Sequence, residues 1–212
     1  MKNFSQYVLS GAIVVGSLIA APVLAADVSY NVGYVSEYYY RGILQKESSG
    51  SAGVDVENGG LSGGIWVADV GEGLEVDLYG GYGIETEGGF TASIGFTGYY
   101  YTDDAFDDTY EELNLGLGYG MFSLGYSVGE WDGYGDAQDY DFLEIGIETP
   151  VGIYLTFGTF GQDFDGEYFE IGYGATVSDI DLGVSLILPS DELGDQPDGE
   201  SQALVFSIGK SF

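Results

Sequence analysis

From Asp27 onward, apolar side chains recur at every second position. Val28, Tyr30, Val32 and Tyr34 alternate with Ser29, Asn31 and Gly33. The same rhythm runs through residues 61–67, 74–84, 90–96, 113–119, 122–128, 143–147, 151–157, 169–173, 180–188 and 204–212, with a weaker run at Ala52, Val54 and Val56. A stride of two marks strands that show alternate side chains to two faces, and no stretch carries a helical repeat. The pattern predicts about twelve strands, an even number as bacterial single-chain barrels have.

The connections give an independent reading. Tight turns are expected at Asn58-Gly59, Glu87-Gly88, Tyr119-Gly120-Met121, Pro150 and Ser178-Asp179. They alternate with longer connections at 41–47, 69–72, 102–108, 130–139, 162–166 and 189–200. Short turns at one end and longer loops at the other describe an up-and-down antiparallel barrel with both termini on the short-turn side. A soluble β-sandwich also alternates, but its solvent faces normally carry Lys and Arg, which are almost absent here. The polar face is Gly, Ser, Thr and carboxylate. Aromatic clusters (Tyr38-Tyr39-Tyr40, Tyr99-Tyr100-Tyr101, Tyr140 with Phe142, Tyr168-Phe169) sit near strand ends, where interfacial girdles are expected. The expected fold is all-β: a transmembrane antiparallel up-and-down β-barrel forming a single domain over 26–212.

Both ends of the chain fit that reading. Residues 1–25 read as a signal peptide, with Lys2, an apolar core over 8–21, Pro22 and small residues before Ala26. The apolar stretch is shorter than the roughly 20 residues of a spanning helix. Leu204, Phe206, Ile208 and Phe212 share one strand face, and this terminal strand is expected to be read by the barrel-insertion machinery. The expected location is the bacterial outer membrane, in contact with lipid and lipopolysaccharide.

Charge narrows the function. The chain has 4 basic and 35 acidic residues, a net charge of −31. Such a field repels nucleic acid, so nucleic-acid binding is excluded, and it attracts cations. With His 0 and Cys 0, no Ser–His–acid site, disulfide or usual zinc, copper or haem site can be built. No catalytic constellation appears and no cofactor is expected; the chain does not read as an enzyme.

A charge facing lipid near the bilayer midplane costs roughly 2–4 kcal/mol, so the apolar parity must face outward. The opposite parity then lines the lumen with Glu37, Asp55, Glu75, Asp77, Glu112, Glu144, Glu148, Glu170 and Asp181, with Arg41 as the nearby cation near the outer mouth. Inward glycines (Gly64, Gly81, Gly95, Gly116, Gly146, Gly172 among them) either relieve crowding or leave a water-filled path. Acidic loop clusters, chiefly Asp103, Asp104, Asp107 and Asp108, then Asp163, Asp165 and Glu167, are weak oxygen-only candidates for Ca²⁺ or Mg²⁺. None has EF-hand spacing, and solvated loop charge explains them as well.

The segment Val28-Ser29-Tyr30-Asn31-Val32-Gly33-Tyr34-Val35-Ser36-Glu37-Tyr38-Tyr39-Tyr40-Arg41-Gly42 resembles the start of the TorF-type porins of proteobacteria, and Lys210-Ser211-Phe212 resembles their basic-Ser/Thr-Phe end. The resemblance implies an outer-membrane barrel of porin type, with no catalytic role for the Arg-Gly step. Together the readings give an expectation: a porin-like channel for passive diffusion of small, preferentially cationic, hydrophilic solutes. The alternative is a non-conducting surface barrel whose acidic loops bind divalent cations, lipopolysaccharide or a partner.

Overall fold

The computed structural model describes residues 26–103, 109–133, 136–194 and 202–212. The expected leader over 1–25 and the acids Asp104, Asp107 and Asp108 lie outside the described residues. The strands are β1 (Asp27–Val35), β2 (Tyr38–Tyr40), β3 (Ile43–Lys46), β4 (Ser49–Asn58), β5 (Leu61–Asp69), β6 (Leu74–Glu85), β7 (Phe90–Tyr101), β8 (Tyr110–Tyr119), β9 (Phe122–Trp131), β10 (Gln138–Glu148), β11 (Ile153–Gln162), β12 (Glu167–Val177), β13 (Ile180–Pro189) and β14 (Ala203–Ser211). A 3₁₀ turn, Asp191–Leu193, lies between the last two.

Twelve of these strands close into one antiparallel barrel, in the order β1-β14-β13-β12-β11-β10-β9-β8-β7-β6-β5-β4. The seam is β1 against β14, from Asn31 opposite Ser211 to Val35 opposite Ser207. The alternation read from sequence is the cause. Tyr30, Ile65, Ile94, Ile145 and Phe206 point outward and are about half exposed, while their neighbours face the lumen. Only closure leaves no strand edge unpaired. With strands about 4.8 Å apart and tilted about 40°, twelve of them enclose a backbone radius of roughly 12 Å.

The end carrying the tight turns is called the lower end here. Gly59 and Gly60, with φ of +57° and +92°, form the two-residue link between β4 and β5. Positive φ at both central residues is the type I′ geometry that matches strand twist, and Gly adopts it without strain. The other expected tight turns also fall between consecutive barrel strands.

One connection departs from expectation. Residues 41–47 do not form an outer loop. Val35 at the top of β1 lies directly opposite Ser49 of β4, so these two strands are already neighbours. The intervening segment forms a second, two-stranded sheet, β2 with β3, separate from the barrel wall. It folds inward, because its aromatic residues gain burial there. Tyr38 and Tyr39 are buried with Val35, Ala68, Val70, Phe142, Tyr168 and Leu193 in the apolar cluster inside the upper barrel. The aromatic clusters expected at membrane girdles are corrected for the same reason. Tyr38, Tyr39, Tyr99, Tyr140, Phe142 and Tyr168 are buried in the interior, whereas Tyr100 and Phe169 face outward.

Candidate functional site

The hairpin tip is Arg41-Gly42, the two residues between β2 and β3, with φ of +50° and +83°. This is a type I′ turn with arginine at a position that favours Asn or Gly. The turn aims the Arg41 side chain across the lumen. Its Nη1 and Nη2 donate to the two carboxylate oxygens of Glu112 on β8 at 2.9 and 3.0 Å, and Nη2 also donates to Ser127 Oγ on β9 at 3.1 Å. In the barrel order β9 is six strands from β1 in either direction, so Arg41 has reached the far wall. The guanidinium also sits 4.3 Å from the Phe142 ring centroid and 4.9 Å from that of Tyr40. Arg41 is 3% exposed. Arg41 thus lies toward the outer end as expected from sequence, but as a buried crossbar in the upper lumen, put there by the inward hairpin.

The rest of the hairpin is seated on other strands. Tyr38 donates to Glu75 on β6 at 2.5 Å and meets the edge of Trp66 on β5. Tyr40 donates to the Tyr99 hydroxyl on β7 at 3.1 Å. Lys46 pairs with Asp69 at the top of β5. A Cβ on Gly42 would lie 2.8 Å from both Tyr168 Cβ and Leu193 Cδ1, so the tip is held between β12 and the 3₁₀ turn.

The lumen wall carries a repeated arrangement that sequence reasoning did not anticipate. On three consecutive strands an inward carboxylate, a glycine and a tyrosine stand opposite one another. Asp55 faces Gly64, which faces Tyr79. Glu112 faces Gly129, which faces Tyr140. Glu144 faces Gly158, which faces Tyr168. In each row the tyrosine ring lies across the glycine and its hydroxyl donates to the carboxylate: Tyr79 to Asp55, Tyr140 to Glu112 at 2.9 Å, and Tyr168 to Glu144 at 3.2 Å. A fourth inward tyrosine, Tyr154, covers Gly172 and donates to Glu170 at 2.8 Å. Several inward glycines are thus seats for tyrosine rings.

Residues 20–185 match the family described as a bacterial protein of unknown function (Gcw_chp). The chain belongs to that family. The family shown is Gcw_chp, not the TorF-type porins that the two ends of the chain resemble. No curated protein matches the chain. Among solved structures, this Gcw_chp protein is similar to OccD3 (OpdP) of Pseudomonas aeruginosa, with 13% identity over 88% of this chain and 60% of that one, TM-score 0.45. It is similar to the outer membrane protein OprD of the same organism, with 10% identity over 87% and 65%, TM-score 0.42. A BenF-like porin from Pseudomonas fluorescens Pf-5 matches at 9% identity over 78% and 56%, TM-score 0.40. The chain thus spans 56–65% of the length of these structures.

The remaining candidate residues of this Gcw_chp protein fall in three zones. Glu75, Glu112 and Glu170 are buried in the upper lumen, joined by Asp77, whose Oδ1 has no hydrogen-bond partner. Asp55 sits lower and also accepts from Asn31 at 3.1 Å. Glu148 and Asp181 lie near the lower rim, where Asp181 accepts from Thr176 at 2.5 Å, and Glu37 lies between β1 and β2 beside Tyr39. The loop acids make local contacts. Asp163 accepts from the Asp139 backbone N–H at 3.2 Å, and Asp165 from that of Gly166 at 2.9 Å, while Asp103 and Glu167 are exposed. In the same outer region the Glu192 carboxyl is held below its usual range by its own backbone N–H and by the Ser190 hydroxyl. Among the described residues no three acidic side chains converge on a point that could hold a metal ion.

Proposed function

We propose that this protein is a bacterial outer-membrane channel for small hydrophilic solutes, constricted in its upper half and favouring cations. The observation that carries the reading is the closed barrel with two opposite faces. Outside is a continuous apolar belt on strands mostly of 9–12 residues, the length a tilted strand needs to cross a bilayer. Inside is a wall of Gly, Ser, Thr, Tyr and carboxylate. About eight strands leave a barrel filled by side chains, while 16–18 leave a wide aqueous channel. Twelve strands permit a narrow bore, and the hairpin narrows it further from above.

Cation preference follows from the inner charge. Arg41 pairs with Glu112, and Glu75, Asp77, Glu144 and Glu170 add further carboxylates to the upper lumen, so acidic groups outnumber the cation there. Carboxylates lining a pore raise the local cation concentration. The loop acids would act at the entrance in the same sense, and could bridge to lipopolysaccharide through Ca²⁺ or Mg²⁺. The test is planar-bilayer conductance of refolded protein, with the reversal potential measured across a KCl gradient. A cation-selective potential that moves toward zero when Glu75, Asp77, Glu144 and Glu148 are neutralised together supports the reading. Unchanged selectivity in that variant removes the lumen as its source.

A further inference from the structure

The hairpin is an addition that the barrel does not require. Val35 and Ser49 are register partners, so a two-residue turn could join β1 to β4 as it joins β4 to β5. The chain instead spends residues 36–48 on a segment whose contacts lie on β5, β6, β7, β8, β9, β10 and β12. A loop serving only to connect neighbouring strands would not reach the opposite wall.

We propose that the β2–β3 hairpin is a captive gate, and that Arg41 docking on Glu112 is its latch. This rests on the channel reading above. Three features set the hairpin apart from a permanent filling. First, Arg41 is a non-glycine residue in the left-handed region at a position where Asn or Gly would be unstrained. The strain is tolerated because the turn delivers a guanidinium to Glu112. Second, the tip is held on the far wall by a buried ion pair. If the hairpin swings away as a unit, water enters and both charges are rehydrated. Desolvation and Coulomb attraction nearly cancel for such pairs, so the pair itself fixes where the tip docks more than it stabilises the docked state, which the burial of Tyr38 and Tyr39 favours. Third, the excursion is tied to the wall near its two ends. Ser36 exchanges hydrogen bonds with Phe206 at 2.9 Å each, and Ser49 Oγ donates to the Asp69 carbonyl at 2.7 Å. These ties form a base about which residues 37–47 can pivot, with Lys46 and Asp69 as a second, half-exposed pair.

When docked, the hairpin narrows the upper lumen. Undocked, it leaves a bore lined by Asp77, Glu112, Glu144 and Glu170. The latch therefore controls both conductance and how many carboxylates a permeating ion meets.

Single-channel recording in planar bilayers tests this on four proteins: the native chain, Arg41→Gln, a chain in which Asn-Gly replaces residues 36–48, and a tethered form. The tethered form carries Tyr40→Cys and Tyr99→Cys bridged by a short bis-methanethiosulfonate; the native chain has no Cys, so the bridge is specific. Folding of each is checked by heat-modifiable gel mobility. The native chain is expected to flicker between a low and a high level. Arg41→Gln should spend several-fold more time in the high level, the shortened chain should stay there, and the tethered form should stay low until reduced. Native-like gating in Arg41→Gln, or a shortened chain conducting no more than the native one, overturns the gate. Folded proteins that never conduct, the shortened chain included, overturn the channel reading itself.

Discussion

Replacing Gly129 by Ala tests whether the carboxylate–glycine–tyrosine rows hold the inner wall together. An ideal Cβ at this position lies 2.6 Å from Tyr140 Cζ, 2.7 Å from its hydroxyl oxygen and 2.7 Å from the Glu111 carbonyl oxygen. The ring must lift, and the Glu111 carbonyl, held in a paired strand, forces the strand pair to give by a few tenths of an ångström as well. Lifting the ring breaks the bond from Tyr140 to Glu112 at 2.9 Å. Overpacking of this kind costs about 1–3 kcal/mol, and a hydrogen bond to a charged acceptor about 1.5–3 kcal/mol. The variant should therefore lose about 2.5–6 kcal/mol of stability. Tyr140→Phe removes the bond alone, and Glu112 keeps its donors Arg41 and Tyr99, so its loss should stay near the lower hydrogen-bond figure. Gly174→Ala is the control: its Cβ meets nothing nearer than the Leu182 carbonyl at 3.9 Å. Restricting the unfolded chain there is neutral or stabilising by up to about 1 kcal/mol. The assay is urea unfolding of the refolded barrel in detergent, read as a midpoint shift at constant slope. The clash reasoning fails if Gly129→Ala shifts the midpoint no more than Gly174→Ala. It also fails if the loss in the Gly129→Ala/Tyr140→Ala double variant equals the sum of the two single losses, because removing the ring should remove most of the clash.

The other predictions concern the outer face and the hairpin. Leu115, outward and near the middle of β8, should cost about 2–4 kcal/mol when changed to Lys, and Val177 at the lower end of β12 about 0–1 kcal/mol. Folding equilibria in lipid vesicles measure both, and equal costs would contradict an apolar belt set in hydrocarbon. Gly42→Ala adds a Cβ against Tyr168 and Leu193 at a φ of +83°, so hydrogen exchange of the amides in β2 and β3 should accelerate while that of β8 and β9 is unchanged. Glu112→Gln leaves Arg41 facing a neutral partner. It should expose residues 38–46 to protease added to folded protein, and full native protection would show that the pair does not hold the hairpin.

Strand number, closure and which side chains face inward were legible because a period of two admits one apolar face per strand, and an even strand count with alternating loops admits one simple topology. The inward tyrosines were legible in principle by the same parity. Tyr140 and Glu144 share the face opposite to Leu143, yet clustering near strand ends suggested girdles instead. The rows divide at a physical boundary. Asp55 lies opposite Gly64 because each is three steps from the two-residue turn that sets Asn58 against Leu61. Glu112 lies opposite Gly129, seven steps from the turn that sets Tyr119 against Phe122. A tight turn fixes register, so these acid–glycine pairs follow from sequence once the turn is recognised. The glycine–tyrosine pairs (Gly64 with Tyr79, Gly129 with Tyr140, Gly158 with Tyr168) span the upper connections instead. Those connections lack the two-residue turn that fixes register by itself, and there the tyrosine helps to set it: a strand slipped by one residue would turn its ring outward, and by two would set it against a residue with a Cβ. The hairpin was hidden for a related reason. Nothing local distinguishes an outward excursion after Val35 from an inward one. What decides it lies on strands far along the chain: the apolar cluster with Phe142 and Tyr168 that buries Tyr38 and Tyr39, and the Glu112 carboxylate some seventy residues later that receives Arg41.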